Sequence, residues 1–207
     1  MYLPEEFYEQ DADKIRTLIK DNPFALLMTA EQGKPQISHL PLEFEGTLDD
    51  EGKLRGKIVG HLSKNNPQYP LLKTQPEVLV LFQGPHAYIS PSWYQTAGVP
   101  TWNYTSVQIR GQLKLIEDEA GIDKLVRKLT EHLESVHDPE VTDRISAEKR
   151  KLLLTMIAGF EIEIAQCEAI FKLSQNKTED DRAGVIAHLS QSNNSTEQAI
   201  AELMKQL

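Results

Sequence analysis

The sequence predicts an α+β fold built on an antiparallel sheet that closes, or partly closes, into a barrel. Three observations predict it. Strand-like segments crowd into the first half of the 207-residue chain. Helical periodicity dominates the second half, and one late strand, at residues 160–173, returns towards the early set. Strands segregated from helices do not suit a doubly wound parallel sheet, in which the two alternate. A late strand rejoining an early antiparallel set suits barrel closure.

Residues 11–20 form an amphipathic helix through Ile15, Leu18 and Ile19, stopped by Asn22 and Pro23. Residues 24–29 are a short apolar run fit for a buried strand, and Glu31-Gln-Gly-Lys34 turns it into a hairpin. The return strand, 36–44, sets Leu40, Leu42 and Phe44 on one side; 46–52 is a polar turn, and 54–62 comes back as a strand. Residues 67–74 form a short helix. Residues 78–82 are a continuous apolar strand, which Gly84 and Pro85 break. Val107, Ile109, Leu113 and Leu115 then alternate with Gln108, Arg110, Gln112 and Lys114, a period of two with Gly111 at a bulge or bend.

Ile122, Leu125, Val126, Leu129, Leu133 and Val136 recur at helical spacing over residues 120–137, and a second helix covers 147–158. Phe160, Ile162 and Ile164 alternate with Glu161 and Glu163, which is the late strand. Two short helices close the chain, at 180–190 and at 196–206, the latter amphipathic through Ala199, Ile200, Leu203 and Met204.

A hydrophobic fraction of 40% and a charged fraction of 26% are ordinary for a soluble globular chain. A lone cysteine, Cys167, forms no intramolecular bridge and suits a reducing compartment. The acidic N-terminal stretch has no signal-peptide pattern, and the longest apolar runs fall far short of the ~20 residues that cross a bilayer. The expected location is cytoplasmic, with no membrane partner. A net charge of −9 weighs against nucleic-acid binding, which draws its affinity from cations displacing counterions. The basic run Lys149-Arg150-Lys151, with Arg144 nearby, reads as a solvated helix face.

The common enzyme signatures are missing: no GxxxxGK[ST] phosphate loop, no GxGxxG after a strand, no HExxH and no GxSxG. Histidines at 39, 61, 86, 132, 137 and 188 have no zinc-ligand spacing. Cys167 lies in a strand, where a small buried hydrophobe is its ordinary role.

Chemistry concentrates in three segments. GHLSKNNPQ, residues 60–68, is a strand end entering a helix, with hydroxyl, amide and ammonium donors where backbone N–H groups would point outwards. It reads as a phosphate site or as an ordinary cap by Asn65 or Asn66 with Pro67 in the first turn; the two are compatible. Both tryptophans fall in a loop-rich stretch, within Pro91-Ser-Trp-Tyr94 and Pro100-Thr-Trp-Asn-Tyr104. Such aromatics pack on a planar ligand, a partner subunit or the core. FKLSQNK, residues 171–177, ends the late strand in cations and amides, and by itself is a capping loop with solvated charge.

Taken in order, HLSKNNPQ, YISPSWY, VPTWNY and KLSQNKTEDDR, with MYLP at the start and SHLP at 38–41, resemble the PaiB family, also described as a putative FMN-binding domain. The resemblance covers nearly the whole chain. It implies a split β-barrel related to the pyridoxamine-phosphate-oxidase-like flavoproteins, with peripheral helices and a C-terminal helical segment. Residues 1–176 would form the FMN-binding domain and 177–207 a helical appendage. It further implies a homodimer with FMN at the subunit interface.

By the same resemblance, the strand with Ile37, Ser38, His39 and Leu40 meets the isoalloxazine. His61, Leu62, Ser63, Lys64 and Asn66 take the phosphate, with Ser63 and Lys64 the favoured donors. The partner subunit contributes the region of Trp102 and Asn103 and the late strand end with Lys172 and Gln175. Lys64 stands where flavin oxidases often carry an arginine, and an ammonium offers fewer fixed donors than a guanidinium. The implied function is negative transcriptional regulation, direct or indirect. The helix pair at 180–207 is acidic, a poor recognition element for the major groove. The alternative is an FMN-dependent oxidoreductase using NAD(P)H or a small substrate, with His39 and His61 as the available acid–base groups. A third reading is a haem-binding or other planar-ligand protein on the same barrel.

Overall fold

The hairpin that opens the sheet is set by its turn. Gln32 and Gly33 both take positive φ, 50° and 79°, the two-residue geometry that suits the right-handed twist of the strands it joins. It links β2 (Phe24–Glu31) to β3 (Lys34–Leu48) in a register running from Phe24 opposite Pro41 to Glu31 opposite Lys34. The computed structural model describes residues 1–49, 53–134, 137–138 and 144–207, with the backbone alone at Leu48.

A short 3-10 turn (Glu5–Phe7) and β1 (Tyr8–Glu9) precede α1 (Ala12–Asp21). The remaining elements are β4 (Leu54–Ser63), α2 (Gln68–Thr74), β5 (Glu77–Ile89), β6 (Thr101–Ile116), α3 (Glu119–Glu134), α4 (Ala147–Thr155), β7 (Ile157–Lys172), α5 (Glu179–Ser190) and α6 (Ser195–Met204). The strands form one sheet of order β1-β7-β4-β3-β2-β5-β6, and β6 also pairs with β7. That last pairing joins β6, at one end of the order, to β7, which lies next to the two-residue β1 at the other, so the antiparallel α+β sheet closes as a barrel sheet does.

Helix starts follow their caps. Ser146, Thr178 and Asn194 accept hydrogen bonds from the backbone N–H groups of Lys149, Asp181 and Thr196, each contributing roughly 1 kcal/mol. Most of the predicted apolar faces are buried: Ile15, Leu18 and Ile19 in α1, and Ile122, Leu125 and Leu129 in α3, where Val126 is half-buried and Leu133, near the helix end, is exposed. Val136 and residues 50–52, placed by the sequence in the third helix and in the polar turn, lie outside the described residues.

Several expected breaks are absent. β3 runs on through Gly46 to Leu48, because Gly46 faces Gly56 across the β3–β4 pair. A Cβ on Gly46 would meet the Arg55 carbonyl at 2.1 Å, so only paired glycines admit this approach. β5 continues through Gly84 and Pro85. Its register with β2 covers only residues 79–81, so the missing N–H of Pro85 costs no bond to β2. β6 runs from Thr101 to Ile116 with Gly111 inside it, so Trp102 to Tyr104 lie in a strand and not in a loop. The helix expected over 147–158 ends at Thr155, and Ala158 instead pairs with Leu62 in β7. β1 and the 3-10 turns have no periodicity long enough to read.

The chain forms two compact units. One comprises Met1–Asp21, Gln83–Gln108 and Glu168–Leu207; the other comprises Asn22–Phe82 and Ile109–Cys167. In the first, Ile19, Ile89, Ile170, Val185, Leu189 and Ile200 are at most 1% exposed. In the second, Leu27, Leu42, Ile58, Val80, Phe82 and Phe160 show no exposure, and α3 lays Leu125 and Leu129 over Val59 of β4.

Candidate functional site, where two strands part

β3 and β4 pair from Leu42 opposite Gly60 outwards to Leu48 opposite Leu54. Continuing that register would set Leu40 opposite Leu62 and Ser38 opposite Lys64, yet no pairing occurs there. β3 goes on pairing with β2 alone, and β4 with β7 alone, through His61–Gly159 to Ser63–Ile157. The two strands therefore part at Leu42, each leaving one edge of backbone N–H and C=O groups without a ladder partner. Unpaired edge groups need a hydrogen-bonding occupant, water or ligand. The predicted residues Ile37 to Leu40 and His61 to Lys64 lie on the two sides of this parting.

Strand alternation sorts their side chains. Ser38 and Leu40 share the inward face with Leu27, while Ile37 and His39 lie on the outward face, where His39 stacks on Phe24 at 5.6 Å. Leu62 is 2% exposed. His61 shares the face of Val59, under α3; its Nδ1 is buried with no partner among the described residues, and burial holds its pKa below the usual imidazole value.

The turn after β4 is tied down from within. The N–H groups of Lys64, Asn65, Asn66, Gln68 and Tyr69 donate to Met156 O, Ser63 Oγ, Ser63 O, Asn66 Oδ1 and Asn66 O. The outward-pointing backbone donors expected here are thus already used, and α2 is a helix of seven residues only. An anion at this turn would be met by side chains. Lys64 Nζ donates to Thr155 O at 3.0 Å, leaving further N–H donors, and the Ser63 side chain is exposed. Asn66 Nδ2 donates to Ser38 Oγ at 2.8 Å, which bridges the parting. Glu117 lies close by: it accepts from Tyr69 and pairs with Lys73 at 2.9 Å, and these bonds hold its pKa below the usual carboxylate range.

Hydroxyl, amide and ammonium beside an open strand edge fit a planar heterocycle with a polar rim and a phosphate tail. The buried, unpartnered acceptor of Gln68 and His61 Nδ1 are the orphaned polar atoms in the same stretch of chain.

The other predicted residues belong to the first unit. Asn103 is fully buried, bonded to Ser174 Oγ at 2.9 Å and to Met204 Sδ at 3.4 Å, so its amide holds the late strand end together. Gln175 folds back onto Leu173 N and Phe171 O. Lys172 donates to Thr101 Oγ1, and its pKa is pushed down by burial first and by Lys177 second. Trp102 is 53% exposed, edge-on to Tyr88 at 5.9 Å and tilted against His86 at 6.1 Å.

Two residues were passed over in the sequence. Gln68, inside the HLSKNNPQ segment, is 2% exposed, and the two N–H donors of its amide are shared among three acceptors; its signal was an amide just after a helix-starting proline. Asp181 reads as the third residue after the Thr178 cap, but its carboxylate reaches Gln95 N, Thr96 N and Thr96 Oγ1 at 2.7, 3.1 and 2.6 Å. The basic run is spent in part on structure: Arg150 pairs with Asp123 at 2.5 Å and Lys151 lies 3.9 Å from Glu119.

A closed antiparallel sheet parted between two strands defines the class of split-barrel proteins. Within it, the chain belongs to the PaiB family: residues 1–166 match the family described as "Putative FMN-binding domain". FMN, implied by the sequence motifs, is thus also the cofactor that the family's description carries. The chain is 37% identical over 205 residues to the protease synthase and sporulation protein PAI 2 of Bacillus subtilis (strain 168), covering 99% of this chain and 97% of that one. Among solved structures, the flavocytochrome Anf3 from Azotobacter vinelandii matches with a TM-score of 0.63 at 18% identity, over 86% of this chain and 75% of its own. The FAD and heme binding protein from Mycobacterium smegmatis matches with a TM-score of 0.62 at 13% identity, over 85% and 78%. At such identities these two likenesses concern the fold. No helix among the described residues is long and apolar enough to cross a membrane.

Proposed function

We propose that this chain is an FMN-binding regulatory protein, a homodimer whose flavin lies along the parting of β3 and β4. The observation that carries the reading is that parting, with Ser63, Lys64 and Asn66 on one side and the unpaired edge of residues 37–40 on the other. Bound FMN supplies a redox-active ring. The chain's part is to hold the phosphate with Ser63 and Lys64, to meet the ring's polar rim with backbone groups, and to exclude water with Leu40 and Leu62. Trp102 and Lys172 of the partner subunit complete the pocket, the first by stacking and the second by charge.

The regulatory role follows the family resemblance and the relative named protease synthase and sporulation protein PAI 2. Arg150 and Lys151 sit beside carboxylates and the net charge is −9, so we infer regulation that works through a bound partner or ligand and not through a basic DNA-reading face.

The test is spectroscopic. The protein as purified is yellow, or quenches FMN fluorescence at micromolar concentration. Lys64→Ala weakens FMN binding about tenfold, the scale of one charge-assisted hydrogen bond. A protein that neither carries nor takes up FMN sinks the proposal.

A further inference from the structure

We propose that Gln68 is the positioning residue that sets the phosphate turn against the β2–β3 hairpin, and so fixes the phosphate end of the site relative to the ring end. This rests on the flavin reading above.

Gln68 opens α2 and is 2% exposed. Its Nε2 lies 3.2 Å from Leu27 O, 3.1 Å from Thr29 Oγ1 and 2.9 Å from Gln36 O. Those acceptors sit on two adjacent inward-facing rungs: Leu27 pairs with Ser38, and Thr29 with Gln36. One amide therefore grips both strands of the hairpin at once. A further contact on the Leu27–Ser38 rung comes from the same turn, where Asn66 Nδ2 reaches Ser38 Oγ and Asn66 Oδ1 accepts from Gln68 N. Gln68 and Asn66 together form a two-point clamp on Gln36 and Ser38, the segment from which the edge of residues 37–40 departs.

The cost of this clamp is visible. Gln68 Oε1 is buried without a partner among the described residues. A buried acceptor left unsatisfied is unfavourable, and an apolar side chain of the same length would fill the space without that penalty. The position therefore spends stability on its donors, which act on geometry. Because the backbone N–H groups of the turn are already used, phosphate recognition depends on where Ser63 and Lys64 are held, and Gln68, with Asn66, ties the turn to the β2–β3 hairpin.

The experiment compares FMN with riboflavin, which lacks the phosphate, by flavin fluorescence quenching in full-length wild type, Gln68→Met and Gln68→Glu. Methionine keeps the length without polar atoms; glutamate keeps the shape and loses the donors. The wild type prefers FMN. Both variants lose at least tenfold in FMN affinity while riboflavin affinity changes less than twofold, so the preference collapses. A wild type that binds the two flavins equally removes the phosphate reading of the turn, and this proposal with it. A wild type that discriminates, with variants that discriminate as well, overturns the role of Gln68 alone. Equal losses for both flavins, or loss of the fold in both variants by circular dichroism, make Gln68 a core residue and overturn it too.

Discussion

A half-buried imidazole with one buried, unpartnered nitrogen makes a small pH-dependent instability, and His61 is such a group among the described residues. Burial lowers its pKa in the folded chain, while in the unfolded chain it titrates near ~6.5. Between those two values the unfolded state binds more protons, so stability rises with pH through that window. The penalty is complete below the lowered folded pKa and vanishes above about 6.5. His61→Gln removes the titration without removing hydrogen-bonding capacity. Melting curves of both proteins from pH 7.5 down to 5.5 should show the wild type losing more Tm than the variant. Parallel losses would mean that His61 is solvated in solution. The pKa of Asp181 is lowered too, but by hydrogen bonds to Thr96 and Gln95 that favour its charged form. Its contribution is therefore present above the ordinary carboxylate pKa and is lost as pH falls through the lowered one.

At the scale of elements, glycines decide where strands may touch. A Cβ at Gly111 of β6 would lie 2.2 Å from the Glu163 carbonyl of β7, a backbone atom fixed by the ladder. A Cβ at Gly60 would meet only side chains, Leu42 at 2.4 Å and Phe160 at 2.9 Å, which yield more readily than backbone. Gly111→Ala should therefore cost about 2 kcal/mol or more, and Gly60→Ala less, by urea unfolding. Equal costs would show that β7 yields. The same glycines explain which parts of the fold were legible in the sequence. Periodicity located α1, α3 and β7, because burial of Ile15, Leu125 and Ile162 is written in spacing, and a short apolar run between turn residues located β2. It misplaced the strand ends at Gly46 and Gly84. Glycine there marks a neighbouring strand's approach, and that neighbour is remote in sequence. The candidate site divides in the same way. Ser63, Lys64 and Asn66 stood in a readable segment. The parting of β3 from β4 depends on register between strands, and Gln68 on three remote acceptors; neither leaves a local trace.

At the scale of the whole molecule, one face of the β2–β3 hairpin is apolar where it should be polar. A strand that faces water on one side alternates. In β2 the inward Ala25 and Leu27 alternate with outward Phe24, Leu26 and Met28, and across the pairing stand Pro41, His39 and Ile37. Phe24 is 68% exposed and Ile37 55%. Only His39 in this group can carry charge, so the patch has no polarity to direct it to an oppositely charged partner. A patch of this composition suits its own copy across a two-fold axis, where apolar meets apolar. A stable interface needs about 800 Å² from each side, more than these residues alone provide, so flanking strands must join it. Phe24→Asp places a carboxylate at the exposed end of the patch without entering the core. The wild type should sediment as a dimer at micromolar concentration and the variant as a monomer with an unchanged far-ultraviolet spectrum. Because the proposed flavin pocket is finished by the partner subunit, the monomeric variant should also bind FMN more weakly, and raising its concentration should restore both dimer and flavin together. A wild type that is monomeric, or a variant that stays dimeric, would remove the interface from this face. A monomer that keeps full FMN affinity would place the whole pocket within one chain.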